Sequence, residues 1–308
     1  MEIISEIQKK YSSQGHDPEV FLKGLLVSRP LTYWDYIQVD TLLSLQHPRT
    51  DYPDEKVFIV YHQVVELFLN LLLHELQQLL GTNNPSDSWC EDKLNRITNY
   101  AEILNTTFQV MNEGLDYEQY NSFRLALAPA SGFQSVQYRL VEIMCTPPEQ
   151  LLHRKWREPG ELKWDDPMEF YDKLYWREAG INPANGLPGM MLKAFDERYK
   201  ELLIETFRRY KGRTLYHWAL ERQSQGRLTK KQLESLRRLD HVYNVEWPLT
   251  HLRTAERYLA VGGVVKQSTG ASHWREYLHP AHQKRIFFPF LWSEEELASW
   301  GQLSEMTG

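Results

Sequence analysis

Cysteine is nearly absent from this chain. The 308 residues contain two cysteines, Cys90 and Cys145, and no CxxC pair. Disulfide frameworks need paired cysteines, and structural zinc sites commonly use closely spaced ones. We therefore expect neither kind of site, and this sparse cysteine content fits a reducing cytoplasm best.

Other familiar signatures are missing too. The chain has no GxSxG nucleophile motif, no P-loop, no GxGxxG and no HExxH. Its net charge of −6 argues against a nucleic-acid-binding surface, which is usually basic. No apolar run reaches the roughly 18 residues of a membrane span. The stretch MEIISEIQKK also lacks a secretory signal pattern. We expect neither nucleic acid nor membrane as a partner.

Helical periodicity dominates what is present, together with aromatic side chains at 13% of the residues. The predicted helices cover residues 32–46, Pro53 to about Leu80, 90–112, 118–127, 133–145, 190–211, and Thr229 to Leu259. Thr229 and Gln232 form a capping-box signature, and Pro248 should kink or interrupt the last helix. Residues 285–292 (RIFFPFLW) could form a short strand, but nothing offers it a partner. The sequence predicts an all-α protein with a single domain over residues 1–308.

One histidine lies in the middle of the stretch FIVYHQVVELFL. His62 is four residues after Phe58 and four before Glu66, so the three share one helical stripe. Buried polar groups normally find a hydrogen-bond partner, and a lone histidine on an apolar helix is more often structural. The alternative is a neutral imidazole that faces a pocket and makes one hydrogen bond to a ligand.

A second feature is Tyr120-x-x-x-Arg124, followed by ALAPASGFQSVQYR. Arg124 lies among apolar residues, where an unpaired charge is costly. An internal salt bridge is one answer, and a ligand carboxylate is the other, because the guanidinium matches it bidentately. Ala130 and Ser131, followed by Gly132, are small enough for a ligand to approach the backbone closely, although a plain helix-to-helix turn is equally compatible.

The third feature is WPLTHLRTAERYL, in which His251 lies on an apolar face. No second histidine at i+4 and no nearby cysteine supports a zinc site. A single histidine can still be the axial ligand of a haem iron. His241 is a competing candidate on the same helix.

Taken together, these segments resemble the tryptophan 2,3-dioxygenase family, within the haem-dependent aromatic oxygenases. The resemblance rests on TYWDYIQVDTLLSLQ, DEKVFIVYHQVVELFLNLLLHEL and FRLALAPASGFQSVQYRLVE, and more loosely on THLRTAERYL and KQSTGAS. It implies an all-α helical bundle enclosing a haem pocket, usually assembled as a homotetramer. The implied reaction uses O2 to open the indole ring of L-tryptophan, giving N-formylkynurenine in tryptophan catabolism.

The resemblance also implies roles for residues around a haem. His251 matches the axial ligand of the haem iron, and the haem should be non-covalent because Ala255 stands where some relatives carry an attaching cysteine. Ser131, with its neighbour Ala130, matches the segment near the haem edge. His62 matches the catalytic histidine that hydrogen-bonds the indole N–H.

The remaining matches concern the substrate. Arg124 matches the arginine that binds the substrate carboxylate, and Tyr120 and Phe58 match residues of the pocket walls. Thr269 matches a threonine that holds the substrate amino and carboxylate groups. A segment that completes a neighbouring subunit's pocket is matched by Tyr33, Tyr36 and Ile37.

Departures from the family pattern keep a second reaction open. The glycine-rich lid of the family reads STGASHW here, with bulky His273 and Trp274, and Trp34 stands where glycine is common. Relatives in the wider group hydroxylate tyrosine or substituted tryptophans in biosynthetic pathways. The alternative is therefore a haem-dependent aromatic monooxygenase.

Overall fold

The structure is a computed structural model. It describes residues 2–127, 132–157, 166–182, 185–261, 264–265, 275 and 278–302. Within it the chain divides into two compact units, Met1–His47 and Pro48–Gly308. The single domain expected from the sequence stays a prediction.

The first unit consists of short helices without a buried core. Its helices are α1 (Glu2–Ser13), α2 (Pro18–Val27), α3 (Tyr33–Ile37) and α4 (Val39–Leu43), and none of them contains a buried residue. The single helix predicted over residues 32–46 is wrong in detail. Gln38 adopts a left-handed conformation with φ of 54°, which ends α3 and separates it from α4.

The second unit is built from helices of very different lengths. The α-helices are α5 (Asp54–Gly81), α6 (Asp87–Thr106), α7 (Phe108–Glu113), α8 (Tyr117–Phe123), α9 (Val136–Cys145), α10 (Pro167–Tyr171), α11 (Met190–Tyr210), α12 (Leu215–Ser224), α13 (Lys230–His241), α14 (Trp247–Leu259), α15 (Pro280–Gln283) and α16 (Glu294–Ala298). Short 3₁₀ turns and a π-helix at Val242–Glu246 connect some of them. Two-residue strands, β1 (Ala260–Val261) and β2 (Val264–Val265), pair antiparallel. The predicted all-α class is confirmed.

Helix α5 forms the centre of the larger hydrophobic core. Leu69, Leu72 and Leu76 on it are at most 1% exposed, and the helix packs chiefly against α6 and α9. By length and composition alone α5 could cross a membrane, a test that the core helix of a globular protein also passes. Its buried leucines belong to the larger hydrophobic cluster, as expected of a helix in the core of a globular protein.

A second cluster joins α9 to α11. Phe133, Ile143, Phe195 and Phe207 are among its buried members. Because α9 contributes to both clusters, it lies between the two cores of this unit. The helix that follows the SGFQS motif is therefore held on two sides.

Local signals account for several helix ends. The predicted capping box is present, since the Thr229 hydroxyl accepts the Gln232 N–H and the Gln232 side chain accepts the Thr229 N–H. Residues 285–292 form no strand; their regular part is a 3₁₀ turn at Pro289–Leu291.

Candidate functional site

His62 lies on α5 with one ring nitrogen already committed. Its Nδ1 is 2.7 Å from the carbonyl oxygen of Phe58. A carbonyl only accepts hydrogen bonds, so Nδ1 carries the proton in this contact. In the neutral ring Nε2 is then an acceptor, available to an N–H group of a ligand.

The surroundings of His62 favour this neutral form. Its ring lies 4.1 Å from the Phe58 ring and 5.0 Å from the Tyr61 ring, centroid to centroid. Burial lowers the pKa of His62, and the hydrogen bond to Phe58 opposes that only in part. The side chain is nonetheless accessible to water. Many protein atoms therefore surround the ring, while part of its surface stays in contact with water.

His251 on α14 faces the same region. Burial, and to a smaller extent the positive charge that His62 would carry, lower the pKa of His251 to about 4. Charge interactions weaken with distance, so this effect is consistent with two imidazoles that lie in the same region. His251 is half-buried, and within the described residues its Nδ1 is buried without a hydrogen-bond partner. Such orphaned atoms are rare in proteins and call for a ligand or water.

Aromatic rings connect the two histidines. The Tyr61 ring lies 5.7 Å from the Phe108 ring, which in turn lies 5.6 Å from the His251 ring. Trp247, one turn before His251 on α14, lies 5.7 Å from it. The Trp247 indole Nε1 is likewise buried without a partner in the described chain. This region therefore combines apolar walls with unpaired polar atoms, as small-molecule sites do.

His241, the competing candidate, has a different environment. Its Nδ1 lies 2.9 Å from a carboxylate oxygen of Glu246, and its side chain is 43% exposed. A contact with a carboxylate near the surface already engages this ring. The geometry therefore favours His251 over His241 as a ligand to a buried group.

Tyr120 lies next to Phe58, and Arg124 follows Tyr120 by four residues. The Tyr120 ring lies 6.1 Å from Phe58 and 4.7 Å from Tyr258. Burial raises the pKa of Tyr120, and the Arg124 charge opposes that rise, which places the guanidinium near the phenol. Arg124 itself is buried, at the start of the 3₁₀ turn Arg124–Leu127 that follows α8.

The other predicted site residues fall either outside the residues that the structure describes or in the first unit, so their roles stay predictions. Ala130, Ser131 and Thr269 lie outside the described residues. Tyr33, Tyr36 and Ile37 belong to α3 in the first unit, where they are 73%, 73% and 42% exposed.

Sequence reasoning missed Tyr61, Phe108 and Trp247. Trp247 could have been found, because it precedes His251 by four residues and so shares its helical face. Tyr61 and Phe108 carry no such signal. Phe108 contacts His251 only because α7 packs on α14, a relation that one sequence does not display.

The described residues of this region do not offer several protein ligands for one metal ion. Among the residues described, no group of three or more His, Cys, Asp or Glu side chains could bind a metal ion. A single histidine such as His251 can instead ligate an iron whose other ligands come from a porphyrin.

Part of this chain matches a known protein family. The family profile described as tryptophan 2,3-dioxygenase matches residues 24–152. That range includes α5 with His62, and α8 with Tyr120.

Individual relatives extend the likeness over most of the chain. A tryptophan 2,3-dioxygenase of Herpetosiphon aurantiacus is 29% identical over 283 residues, which cover 87% of this chain and 98% of the relative. One from Ruegeria sp. is 29% identical over 279 residues, with 85% and 91% covered. One from Ruegeria pomeroyi is 36% identical over 136 residues, with 43% and 48% covered.

Proposed function

We propose that this chain is an oxidoreductase of the tryptophan 2,3-dioxygenase family, and that it opens the indole ring of L-tryptophan or a close analogue. O2 is the co-substrate and N-formylkynurenine the product. Both oxygen atoms enter the product, so the reaction balances without an external reductant. The observation that carries this proposal is that the rings of Tyr61 and Phe108 link His62 to His251, two imidazoles whose pKa values are lowered by burial.

The residues present fit a haem b. His251 would be its axial ligand: the ring is neutral at physiological pH and has a buried nitrogen without a partner in the described chain. Metal-bound histidines usually donate their second ring N–H to an acceptor or to water. Phe108 and Trp247 supply apolar surface beside it. When bound, the haem would supply the O2 chemistry, and the protein would supply position and exclusion of water.

His62 would act on the substrate ring. Its Nδ1–H is held by the Phe58 carbonyl at 2.7 Å, which leaves Nε2 as an acceptor for the indole N–H. Protonation would abolish that acceptor, and burial opposes protonation. His62 would thus fix the orientation of the indole ring without donating a proton to it.

Arg124 would recognise the amino acid part of the substrate. Hydrogen bonds between a guanidinium and a carboxylate are charge-assisted and geometrically selective. The neighbouring Tyr120 and Phe58 rings would provide the apolar side of the pocket. Roles for Ala130 and Ser131 at the haem and for Thr269 at the substrate stay predictions of the family resemblance.

We also propose that the protein acts as a homo-oligomer, a tetramer by resemblance, in the cytoplasm. The support is that α1–α4 contain no buried residue and that Tyr33 and Tyr36 are largely exposed. Docking onto a second copy would cover this apolar surface. Mixing a His62→Ala variant with a Tyr36→Ala variant should then restore part of the activity, whereas activity that stays lost would contradict a shared pocket.

The direct experiment is turnover by reduced, haem-loaded protein under O2. Formation of N-formylkynurenine from L-tryptophan would support the proposal. Protein that binds haem but neither binds nor consumes tryptophan would refute it. A catechol product from tyrosine, formed with hydrogen peroxide or with O2 and an added two-electron reductant, would instead support the monooxygenase alternative, which the STGASHW segment and Trp34 favour.

A further inference from the structure

The helix that carries His251 contains a π-turn directly before it. Val242–Glu246 is a π-helix between α13 and α14, and the Trp247 N–H donates to the Val242 carbonyl. An α-helix turns by about 100° per residue, since it has roughly 3.6 residues per turn. The extra residue of a π-turn therefore rotates the later side chains, His251 included, relative to α13. Such turns are rare and are frequently found at functional sites.

Pro248 explains why the regular helix is weak here. Proline lacks the backbone N–H that an α-helix uses, but its presence does not select a π-turn over other interruptions. The side chains of the turn also pack into the core. The four consecutive residues from Val242 to Val245 are all buried, and Tyr243 stacks on Tyr138 with ring centroids 4.5 Å apart.

Asp240 holds the start of this turn. It lies in the last turn of α13 and is fully buried. Its Oδ1 accepts the Asn244 side-chain N–H and the Phe287 backbone N–H, both at 2.8 Å. Its Oδ2 accepts the Phe288 backbone N–H and the Trp292 Nε1–H, both at 3.0 Å. Each oxygen thus accepts two hydrogen bonds from neutral donors.

The segment that supplies three of these donors is itself anchored. The Arg285 guanidinium donates to Glu142 on α9 at 2.7 Å and to the Tyr175 hydroxyl at 2.6 Å. The Arg237 guanidinium lies 4.1 Å from the centre of the Trp292 ring. Asp240 therefore joins the π-turn, through Asn244, to a chain segment fixed on α9.

We propose that Asp240 is a positioning residue for the site: by fixing the π-turn through Asn244 and residues 287–292, it sets the direction in which His251 faces. This inference rests on the proposed role of His251 as haem ligand. Asp240 touches neither haem nor substrate, and it acts only through the helix.

Asp240→Asn tests this with little change of shape. The carboxylate accepts hydrogen bonds at both oxygens, whereas a carboxamide has an NH2 group in place of one of them. At least some of the four hydrogen bonds are therefore lost. We expect haem affinity to fall at least about tenfold, as for other residues that orient a metal ligand. The Fe–His stretching band of the reduced protein should shift, and amide exchange in residues 242–251 of the haem-free protein should accelerate.

Asp196→Asn is the matched control. Asp196 accepts from Arg177 at 2.6 Å and from Tyr171 at 2.9 Å, next to the second hydrophobic cluster. The Asp196→Asn protein should be less stable than the wild-type protein but should keep the wild-type Fe–His stretching band. If Asp240→Asn does not fold, Trp292→Phe removes one of the four donors and should shift the same band by less.

A wild-type Fe–His band and wild-type haem affinity in a folded Asp240→Asn or Trp292→Phe protein would overturn the proposal. Failure of the wild-type chain to bind haem would refute the proposed function instead. In that case unchanged amide exchange in Asp240→Asn would separately reject control of the π-turn.

Discussion

The hydrogen bond assigned to His62 can be measured by changing both of its partners. L-Tryptophan and 1-methyltryptophan differ by the indole N–H, and His62→Phe removes the Nε2 acceptor. A neutral hydrogen bond contributes about 0.5–1.5 kcal/mol, which corresponds to about a two- to thirteen-fold change in affinity. We expect N-methylation to weaken binding by that additional factor in the wild-type protein and not in His62→Phe.

The assay is titration of both ligands into both haem-loaded proteins, so that the four dissociation constants form a thermodynamic cycle. The cycle cancels the steric effect of the methyl group, which both proteins experience. His74→Phe is the control, since His74 lies about three turns beyond His62 on the same helix. An equal N-methylation penalty in wild type and His62→Phe would refute the hydrogen bond from the indole to His62.

Three further predictions follow from the same geometry. His251→Ala should abolish stoichiometric haem binding, measured by the Soret absorbance, and normal haem content would point to another ligand such as His241. Arg124→Leu should weaken tryptophan binding by about ten- to a hundredfold, because charge-assisted hydrogen bonds contribute about 1.5–3 kcal/mol, while haem content stays unchanged; unaltered affinity would make Arg124 a purely structural residue. The haem-free protein should lose stability as the pH falls from about 7 toward 4, because the unfolded chain protonates its histidines near pH 6.5 whereas His62 and His251 have lowered pKa values in the folded state. Urea unfolding across that range checks this, and the His62→Gln/His251→Ala double variant should show a shallower dependence.

Much of the helical framework follows from local sequence signals. The capping box at Thr229 marks the start of α13, and the apolar stretch around His62 predicts α5. These features depend on neighbours in the chain, which a sequence displays directly. Gln38 shows the opposite case, because a left-handed residue that is not glycine carries no clear signal and splits the helix predicted over residues 32–46.

The site is harder to predict than the helices, because it depends on contacts between residues that are far apart in the chain. Tyr120 and Arg124 share a helical face, and His251 is conspicuous in an apolar helix, so their chemistry is visible from spacing. The spacing does not show that His62 and His251 lie in the same region, since α5 and α14 are far apart in the chain. The π-turn is equally hidden: Pro248 indicates an interruption, but the contacts of Asp240 with residues 287–292 come from the folded core.

Turnover of L-tryptophan under ¹⁸O2 tests the central proposal most directly. Reduced, haem-loaded protein should form N-formylkynurenine in which both added oxygen atoms carry the label, detected by mass spectrometry. A ring-hydroxylated product with one labelled oxygen, or no consumption of tryptophan by protein that retains haem, would contradict it.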